Sequence, residues 1–190
     1  LTAHYRSPID FSDHNLKDAR TGLSRFYEAL QSAEQTTGAL SADSTAPPST
    51  LGVELKQQLV EAMNDDFNTA LAIAHLFEGV RTVNRLIATK KFAKKPELVA
   101  QVKDLHATII ELGSVLGILG SQPQQWLEKV KLAGLAGLEI THEEIEQLLK
   151  ERLEARQNKN FERGDQIRAE LEERGIELLD SREGTTWKLK

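Results

Sequence analysis

The sequence predicts a mainly α-helical protein, in which a helical bundle is followed by a small α+β domain with a C-terminal β-hairpin. Two observations predict this fold class. Apolar residues recur every three or four positions through most of residues 12–116, as they do in amphipathic helices. Later, a helical pattern ends at Gly175, and two β-prone runs at 176–179 and 185–189 flank a turn at 181–184.

The predicted bundle contains four helices. The first starts after Ser12, a residue type that caps helix N-termini, and reaches about residue 33. The second covers about 52–63. The third begins near Asn68, and the fourth has Pro96 in its first turn and ends before Gly117. Amphipathic helices joined mostly by short connections are typical of bundles.

Two segments between these helices carry predictions of their own. Residues 36–50 are rich in Ser, Thr, Ala and Pro, which predicts a flexible connection. Asp65 and Asp66 precede the third helix. A metal site or an acid/base pair is one interpretation of these two residues. Turn formation and helix capping are preferred, because carboxylates accept backbone N–H groups at a helix start.

The C-terminal domain is predicted to begin at a capping box. Thr141 and Glu144 have the spacing in which each side chain bonds the other residue's backbone N–H. The helix that follows is expected to bury Ile145, Leu148, Leu149 and Leu153. Residues 123–127 predict one turn of helix. The predicted domains are a helical bundle at 1–128, a glycine-containing linker at 129–140 and a small α/β domain at 141–190.

Composition narrows the classes of protein that fit. The 190 residues suffice for one large or two small domains, and the formal net charge is −5. That charge argues against a protein that coats nucleic acid without selectivity, since such binding depends on phosphate neutralisation. The sequence has no cysteine, which excludes disulfides and fits a cytoplasmic protein. Leu1 in place of an initiator methionine is interpreted as the start of a fragment.

Basic residues form two clusters. They are Lys90, Lys91, Lys94 and Lys95 in the first, and Arg152, Arg156, Lys159, Arg163 and Arg168 in the second. The ordinary interpretation of such a cluster is a solvated surface whose cations pair with carboxylates one helical turn away. Contact with the phosphates of a nucleic acid is the alternative.

No catalytic or metal-ligating pattern is present in the sequence. There is no Gly-rich phosphate loop, no Gly-x-Ser-x-Gly and no His-Glu-x-x-His. The five histidines are far apart and are interpreted as packing or surface residues. No run of eighteen apolar residues exists, so no membrane span is predicted. These absences favour a binding function over catalysis.

Three segments carry a resemblance to a known family. The first joins His4-Tyr5-Arg6-Ser7-Pro8 to Phe11-Ser12, the second is Ala62-Met63-Asn64-Asp65-Asp66-Phe67-Asn68-Thr69-Ala70, and the third contains Ala155-Arg156, Lys159-Asn160-Phe161, Asp165, Gly175-Ile176, Asp180 and Gly184-Thr185-Thr186-Trp187. In this order they resemble the C-terminal part of bacterial-type cysteinyl-tRNA synthetase. The chain departs from the family pattern at Gly164, where alanine is usual, and at Asn64, where an acid is frequent.

The resemblance implies a DALR-type helical bundle and then a small domain that reads the cysteine anticodon. It also implies a parent enzyme, a class I aminoacyl-tRNA synthetase that joins cysteine to its tRNA and uses ATP and zinc in its catalytic domain. No signature of that domain occurs in this sequence. The fragment is therefore expected to do no chemistry and to hold no cofactor. Its implied partners are tRNA with the cysteine anticodon and the parent's own catalytic domain, with no DNA and no membrane.

The resemblance also suggests which residues contact tRNA. Anticodon bases are unstacked, so aromatic rings or guanidinium planes can hold them while polar groups bond their edges. Carried over by position, Arg156 would bind a base edge or stack on a base. Phe161 would either stack on a base or pack in the core. Asp165 and Asp180 would accept hydrogen bonds from base amines, and such acids supply specificity more than affinity.

The remaining candidates have alternatives that stay open. Lys159, Arg163 and Arg168 would contact phosphates, but Arg168 could instead pair with Glu172 or Asp165. Trp187 would either join the tRNA site or pack against the helix. A second function also fits the acidic balance and the amphipathic helices: a helical scaffold that binds protein and no RNA.

Overall fold

A computed structural model describes residues 1–38, 49–181 and 184–189. The helices are α1 (Asp13–Thr37), α2 (Leu51–Asn64), α3 (Thr69–Ile87), α4 (Pro96–Val115), α5 (Pro123–Leu135), α6 (His142–Gln157) and α7 (Phe161–Glu173), with a short 3-10 turn at Phe92–Lys94. Strands β1 (Ile176–Ser181) and β2 (Gly184–Leu189) form an antiparallel pair. The predicted fold class is confirmed. The predicted flexible connection lies largely on residues 39–48, outside the described residues.

The chain divides into two compact units, Leu1–Trp126 and Leu127–Lys190. The first contains α1 to α4, which pack against one another as a bundle. Its core consists of apolar side chains from all four helices, with Leu30, Leu55, Leu76 and Val102 almost inaccessible to solvent. No helix among the described residues combines the length and apolar character needed to cross a membrane.

Helix boundaries in the bundle follow the predicted signals with one correction. Ser12 caps α1 by accepting the N–H of Asn15 at 3.4 Å. At the start of α3 the cap is Asn68, whose Oδ1 accepts the N–H of Leu71 at 3.1 Å. The predicted turn at Asp65 and Asp66 is confirmed, but their predicted capping of α3 is wrong. Asp65 instead follows the end of α2, and its backbone N–H donates to the carbonyl of Glu61.

The carboxylate of Asp66 bonds two side chains near the start of the chain and not the backbone of α3. Its Oδ1 accepts from the hydroxyl of Tyr5 at 2.8 Å and from the guanidinium of Arg6 at 3.0 Å. Asp66 and Phe67 both have left-handed backbone angles, with φ of 54° and 53°. This turn lets the chain reverse between α2 and α3 while the Asp66 carboxylate reaches residues near the start of the chain.

Helix α5 is longer than predicted. The sequence predicted one turn of helix at 123–127 and a linker after it, but α5 continues to Leu135. Gly134 lies inside this helix because it permits a close approach: a Cβ at that position would be 2.1 Å from Cδ1 of Leu189. A glycine that looked like a linker residue is thus a packing residue.

The second unit is built on one apolar cluster. Ile140, Ile145, Ile167, Leu171, Ile176, Leu178 and Trp187 are all buried in it. Helix α7 ends at Gly175, which has φ of 81° and turns the chain into β1 without the steric cost of a Cβ. In the hairpin Leu178 pairs with Trp187, so both face the helices. The capping box at the start of α6 is confirmed, with Thr141 and Glu144 bonding each other's backbone N–H groups.

The buried face of α6 differs from the prediction at one position. Leu153 was expected inside, but it is 58 % exposed, and Arg152 is only 2 % exposed. The spacing explains the difference, because residue 152 lies seven positions after Ile145 and four after Leu148, on the same helical stripe. An arginine therefore occupies a core position of the C-terminal unit.

Candidate nucleic-acid interface

The buried arginine holds a carboxylate at the end of the hairpin. Arg152 donates from both terminal nitrogens to Asp180, with distances of 2.9 Å to Oδ1 and 2.9 Å to Oδ2. The hydroxyl of Thr185, opposite Asp180 in the strand register, donates to Oδ1 at 2.7 Å. A bidentate pair of this kind fixes both direction and distance. Asp180 therefore has a fixed orientation although it lies near the surface.

The same contacts keep Asp180 ionised. Hydrogen bonding from the Arg152 guanidinium, and then from Thr185, holds the pKa of this carboxyl well below its usual range. Asp180 is consequently a hydrogen-bond acceptor and never a donor at neutral pH.

Two further guanidinium groups lie beside this carboxylate. Arg156 on α6 and Arg168 on α7 each have a terminal nitrogen 3.9 Å from Oδ2 of Asp180. Both side chains are about half exposed, in contrast to Arg152. Three guanidinium groups thus lie within 4.0 Å of one carboxylate, and these four side chains together carry an excess of positive charge. The three arginines and Asp180 are referred to below as the arginine cluster.

Arg156 packs over Gly164 of the neighbouring helix. Gly164 is buried, and a Cβ there would be 3.5 Å from Cγ of Arg156 and 4.0 Å from Cγ of Arg152. These are ordinary van der Waals distances, so alanine would also fit. The departure from the family pattern at this position leaves the arrangement of the two arginines intact.

The loop between α6 and α7 presents the next candidates. Lys159 is exposed and has a left-handed backbone with φ of 58°. Asn160 caps α7 by accepting the N–H of Arg163 at 3.2 Å. This cap fixes the first residue of the helix, Phe161, whose ring is 62 % exposed. Of the two alternatives for Phe161, the structure rules out core packing and leaves the ring free for contact with a ligand.

Arg163 and Asp165 differ in how they are held. Arg163 donates from Nε to Oε1 of Glu151 at 2.7 Å, a link from α7 to α6 that raises the pKa of Arg163 and lowers that of Glu151. Its other guanidinium nitrogens stay available for a phosphate. Asp165 is exposed on α7.

Trp187 lies in the core of the C-terminal unit. It is 4 % exposed, and its indole N–H donates to Oε1 of Glu146 at 3.2 Å. The ammonium of Lys131 lies 3.6 Å from the centre of the ring. Trp187 therefore packs against the helices, as the second alternative predicted, and its buried ring is not available to stack on a base.

Sequence reasoning missed the role of Arg152 and Thr185. Arg152 was placed among surface cations, although its helical spacing from Ile145 marked it as inward-facing. Thr185 was seen only as part of a strand, and its pairing with Asp180 depends on the hairpin register. A buried arginine two turns along an apolar stripe is the signal that could have led to the carboxylate.

Comparisons with known proteins fit this arrangement. A family model described as a DALR domain matches residues 58–120, and one described as the cysteinyl-tRNA ligase anticodon binding domain matches residues 141–187. The chain therefore contains a DALR domain followed by a domain of the cysteinyl-tRNA ligase anticodon-binding family. The second match contains the whole arginine cluster, and the resemblance seen in the sequence is confirmed.

Individual cysteine–tRNA ligases match along the whole chain. A cysteine–tRNA ligase of Syntrophotalea carbinolica is 52 % identical over 194 residues, which cover 100 % of this chain and 39 % of the relative. Those of Pelobacter propionicus and Geobacter sp. strain M21 are 45 % and 44 % identical, covering 100 % of this chain and 41 % and 39 % of the relatives. The chain thus spans about two fifths of the length of these ligases.

Proposed function

We propose that this chain is the tRNA-recognition region of a cysteine–tRNA ligase, a class I synthetase that attaches cysteine to its tRNA using ATP. In this proposal the region binds tRNA with the cysteine anticodon and does no chemistry itself. The observation that carries the proposal is the arginine cluster, which lies inside the segment matched by the anticodon-binding family. The same segment combines a fixed acceptor, partly exposed guanidinium planes and an exposed ring at the start of α7.

Asp180 is proposed to accept a hydrogen bond from one anticodon base. A carboxylate offers about four acceptor directions. Oδ1 already receives Arg152 and Thr185, whereas Oδ2 receives, from the described residues, a hydrogen bond from one nitrogen of Arg152. The free direction of Oδ2 suits an amine or ring N–H of an unpaired base. Because Arg152 holds the carboxylate in place, a base without a donor would leave an acceptor unpaired.

The neighbouring groups are assigned complementary roles. Arg156 and Phe161 are proposed to stack on unpaired bases, since both a guanidinium plane and an aromatic ring can do so. Lys159, Arg163 and Arg168 are proposed to contact phosphates, which fix position and carry no sequence information. Asp165 stays a candidate acceptor for a second base. Trp187 is proposed to support the hairpin from inside.

The proposal extends to the organisation of the parent protein. The two compact units, Leu1–Trp126 and Leu127–Lys190, are proposed to be the helical bundle and the anticodon-binding domain, so the predicted linker at 129–140 belongs to the second unit. The parent's catalytic domain, with ATP and zinc, is a further partner, and the proposed location is the cytoplasm. Among the described residues no group of three or more His, Cys, Asp or Glu could hold a metal ion, so zinc is not assigned to them.

Binding of paired tRNAs tests the proposal. The full chain is titrated with tRNA carrying the cysteine anticodon, and with the same tRNA carrying changed anticodon bases. We expect the change to weaken binding by 1–3 kcal/mol per contacted base, or about 5- to 150-fold. Equal affinity for both tRNAs would reject anticodon reading. No tRNA binding at all, together with capture of a protein partner, would favour the scaffold function instead.

A further inference from the structure

The bundle unit carries a second group of cations that the anticodon site does not use. Lys90, Lys91, Lys94 and Lys95 surround the 3-10 turn between α3 and α4 and are referred to below as the lysine loop. Three of them are exposed, and Lys95 is half-buried. From position 79 to position 96 the sequence contains no Asp or Glu, so the lysine loop lies in a stretch that is basic without interruption.

The fold holds this loop in one conformation. Phe92, in the middle of the four lysines, is 5 % exposed and anchors the turn in the bundle core. Backbone N–H groups of Phe92, Lys94 and Lys95 donate to the carbonyls of Thr89, Lys91 and Phe92 at 2.9–3.0 Å. Lys91 adopts a left-handed backbone with φ of 60°. The ammonium groups are therefore carried by an ordered turn.

The lysines of this loop form no ion pair with the described residues. Within the described part of the chain, no carboxylate lies within 4.0 Å of any of their four ammonium groups. Another lysine of the bundle unit, Lys56, pairs with Glu111 at 2.7 Å. Three of the lysines are exposed, as a solvated surface predicts, but the predicted carboxylate partners one turn away are missing among the described residues.

Lys95 also occupies a position that folding disfavours for a cation. It is the N-cap of α4 and makes no side-chain capping bond. Ser, Thr, Asp and Asn are preferred at such positions because their side-chain oxygens accept the free backbone N–H groups. The partial positive charge of the helix N-terminus also disfavours a cation there. Lys94 and Lys95 both add charge of the same sign there. A local rule broken without a compensating contact in the fold points to a ligand that supplies the missing negative charge.

We propose that the lysine loop binds consecutive backbone phosphates of the tRNA, as a contact separate from the anticodon site. The proposal depends on the proposed tRNA-binding function of the chain. Ammonium groups on one ordered turn match closely spaced phosphates, and counterions released from the RNA would supply the free energy. Because lysine meets phosphate as a point charge, this contact adds affinity without selecting a sequence.

A salt titration with matched variants tests the lysine loop. The affinity of the full chain for tRNA with the cysteine anticodon is measured at several salt concentrations. The variants are Lys91→Gln/Lys94→Gln and a control with the same charge change in the same unit, Lys17→Gln/Lys56→Gln. We expect the first variant to lower the slope of log K against log salt by about one per lysine, and the control to leave it unchanged.

Further arms separate this proposal from its alternatives. The lysine-loop variant should keep the ratio of affinities for the cysteine and changed anticodons, because it weakens both alike. If the unmodified chain bound both tRNAs with equal affinity, anticodon reading would be rejected, and the lysine-loop proposal would not be affected. Equal slopes in all three proteins would overturn the lysine-loop proposal, as would an equal drop in both variants. Loss of binding to phosphatidylserine vesicles with tRNA binding unchanged would also overturn it, in favour of a membrane contact.

Discussion

At the scale of single residues, the arginine at position 152 determines how the C-terminal unit presents its hairpin. A buried guanidinium is costly unless it is paired and hydrogen-bonded. Asp180 and Thr185 provide that pairing, and the same contacts orient the carboxylate toward Arg156 and Arg168. A structural requirement of the core and the proposed recognition of a base therefore involve the same side chain.

Replacing Asp180 should destabilise the C-terminal unit. Asp180→Asn removes the charge that balances Arg152, and we expect a loss of about 3 kcal/mol, the lower end for breaking a buried ion pair, because Asp180 is partly exposed. Chemical denaturation measures the loss. Asp165→Asn is the matched control, since Asp165 is exposed on α7, and it should change stability by less than about 0.5 kcal/mol. Similar effects of the two substitutions would contradict the structural role of Asp180.

The ion pair should also make stability depend on pH. The pKa of Asp180 is lowered in the folded state, so the folded chain binds its proton less readily than the unfolded chain. The stabilisation is fully present above the unfolded value of about 3.9 and is lost as the pH falls below it. The difference in melting temperature between the unmodified chain and Asp180→Asn should be largest near pH 7 and smaller at pH 3. A difference that grows toward pH 3 would show the opposite sign of linkage.

At the scale of elements, local signals in the sequence were reliable where a single residue type determines the outcome. The cap at Ser12, the capping box at Thr141 and the helix end at Gly175 were all predictable, because each depends on backbone geometry within a few residues. Tertiary contacts determined the features that were missed. Helix α5 continues past the predicted turn, and Gly134 inside it lies against Leu189, a residue more than fifty positions away.

Among the candidate-site residues, too, local signals were predictable and tertiary contacts were not. The exposure of Lys159 and Phe161 follows from their positions beside a helix cap and agrees with the sequence pattern. The burial of Trp187 and Arg152 depends on how the hairpin lies against α6 and α7, and sequence spacing alone left the first open and misplaced the second. The specific base that each side chain contacts remains a proposal, since it depends on the RNA.

Helix α7 should tolerate, and gain from, the alanine usual at position 164. Alanine favours helix by about 1 kcal/mol over glycine, and its Cβ would meet Arg156 Cγ at an ordinary 3.5 Å. Gly164→Ala should therefore raise the free energy of unfolding by about 1 kcal/mol. Gly134→Ala in α5 is the matched control and should show no such gain, because its Cβ would overlap Leu189. Denaturant titration of both variants checks this, and a loss of stability in Gly164→Ala would mean that the arginines lie closer than described.

At the scale of the whole molecule, two kinds of unit share one chain. Helices α1 to α4 form a bundle with the lysine loop on its surface, and the C-terminal unit carries the arginine cluster. The DALR match lies within the first unit, and the anticodon-binding match lies within the second. If the proposed function is right, both units bind the same RNA. The bundle then contacts phosphates alone, and the C-terminal unit contacts bases as well.

The most direct measurement is a thermodynamic cycle between Arg156 and the anticodon. The affinities of the unmodified chain and of Arg156→Ala are measured for tRNA with the cysteine anticodon and for tRNA with changed anticodon bases, with Lys159→Ala as the control. If Arg156 contacts a base, the effects of Arg156→Ala and of the anticodon change on the binding free energy should be non-additive by about 1–3 kcal/mol. Lys159→Ala should weaken the binding of both tRNAs equally. Additive effects for Arg156, with coupling below about 0.5 kcal/mol, would contradict base reading by the arginine cluster.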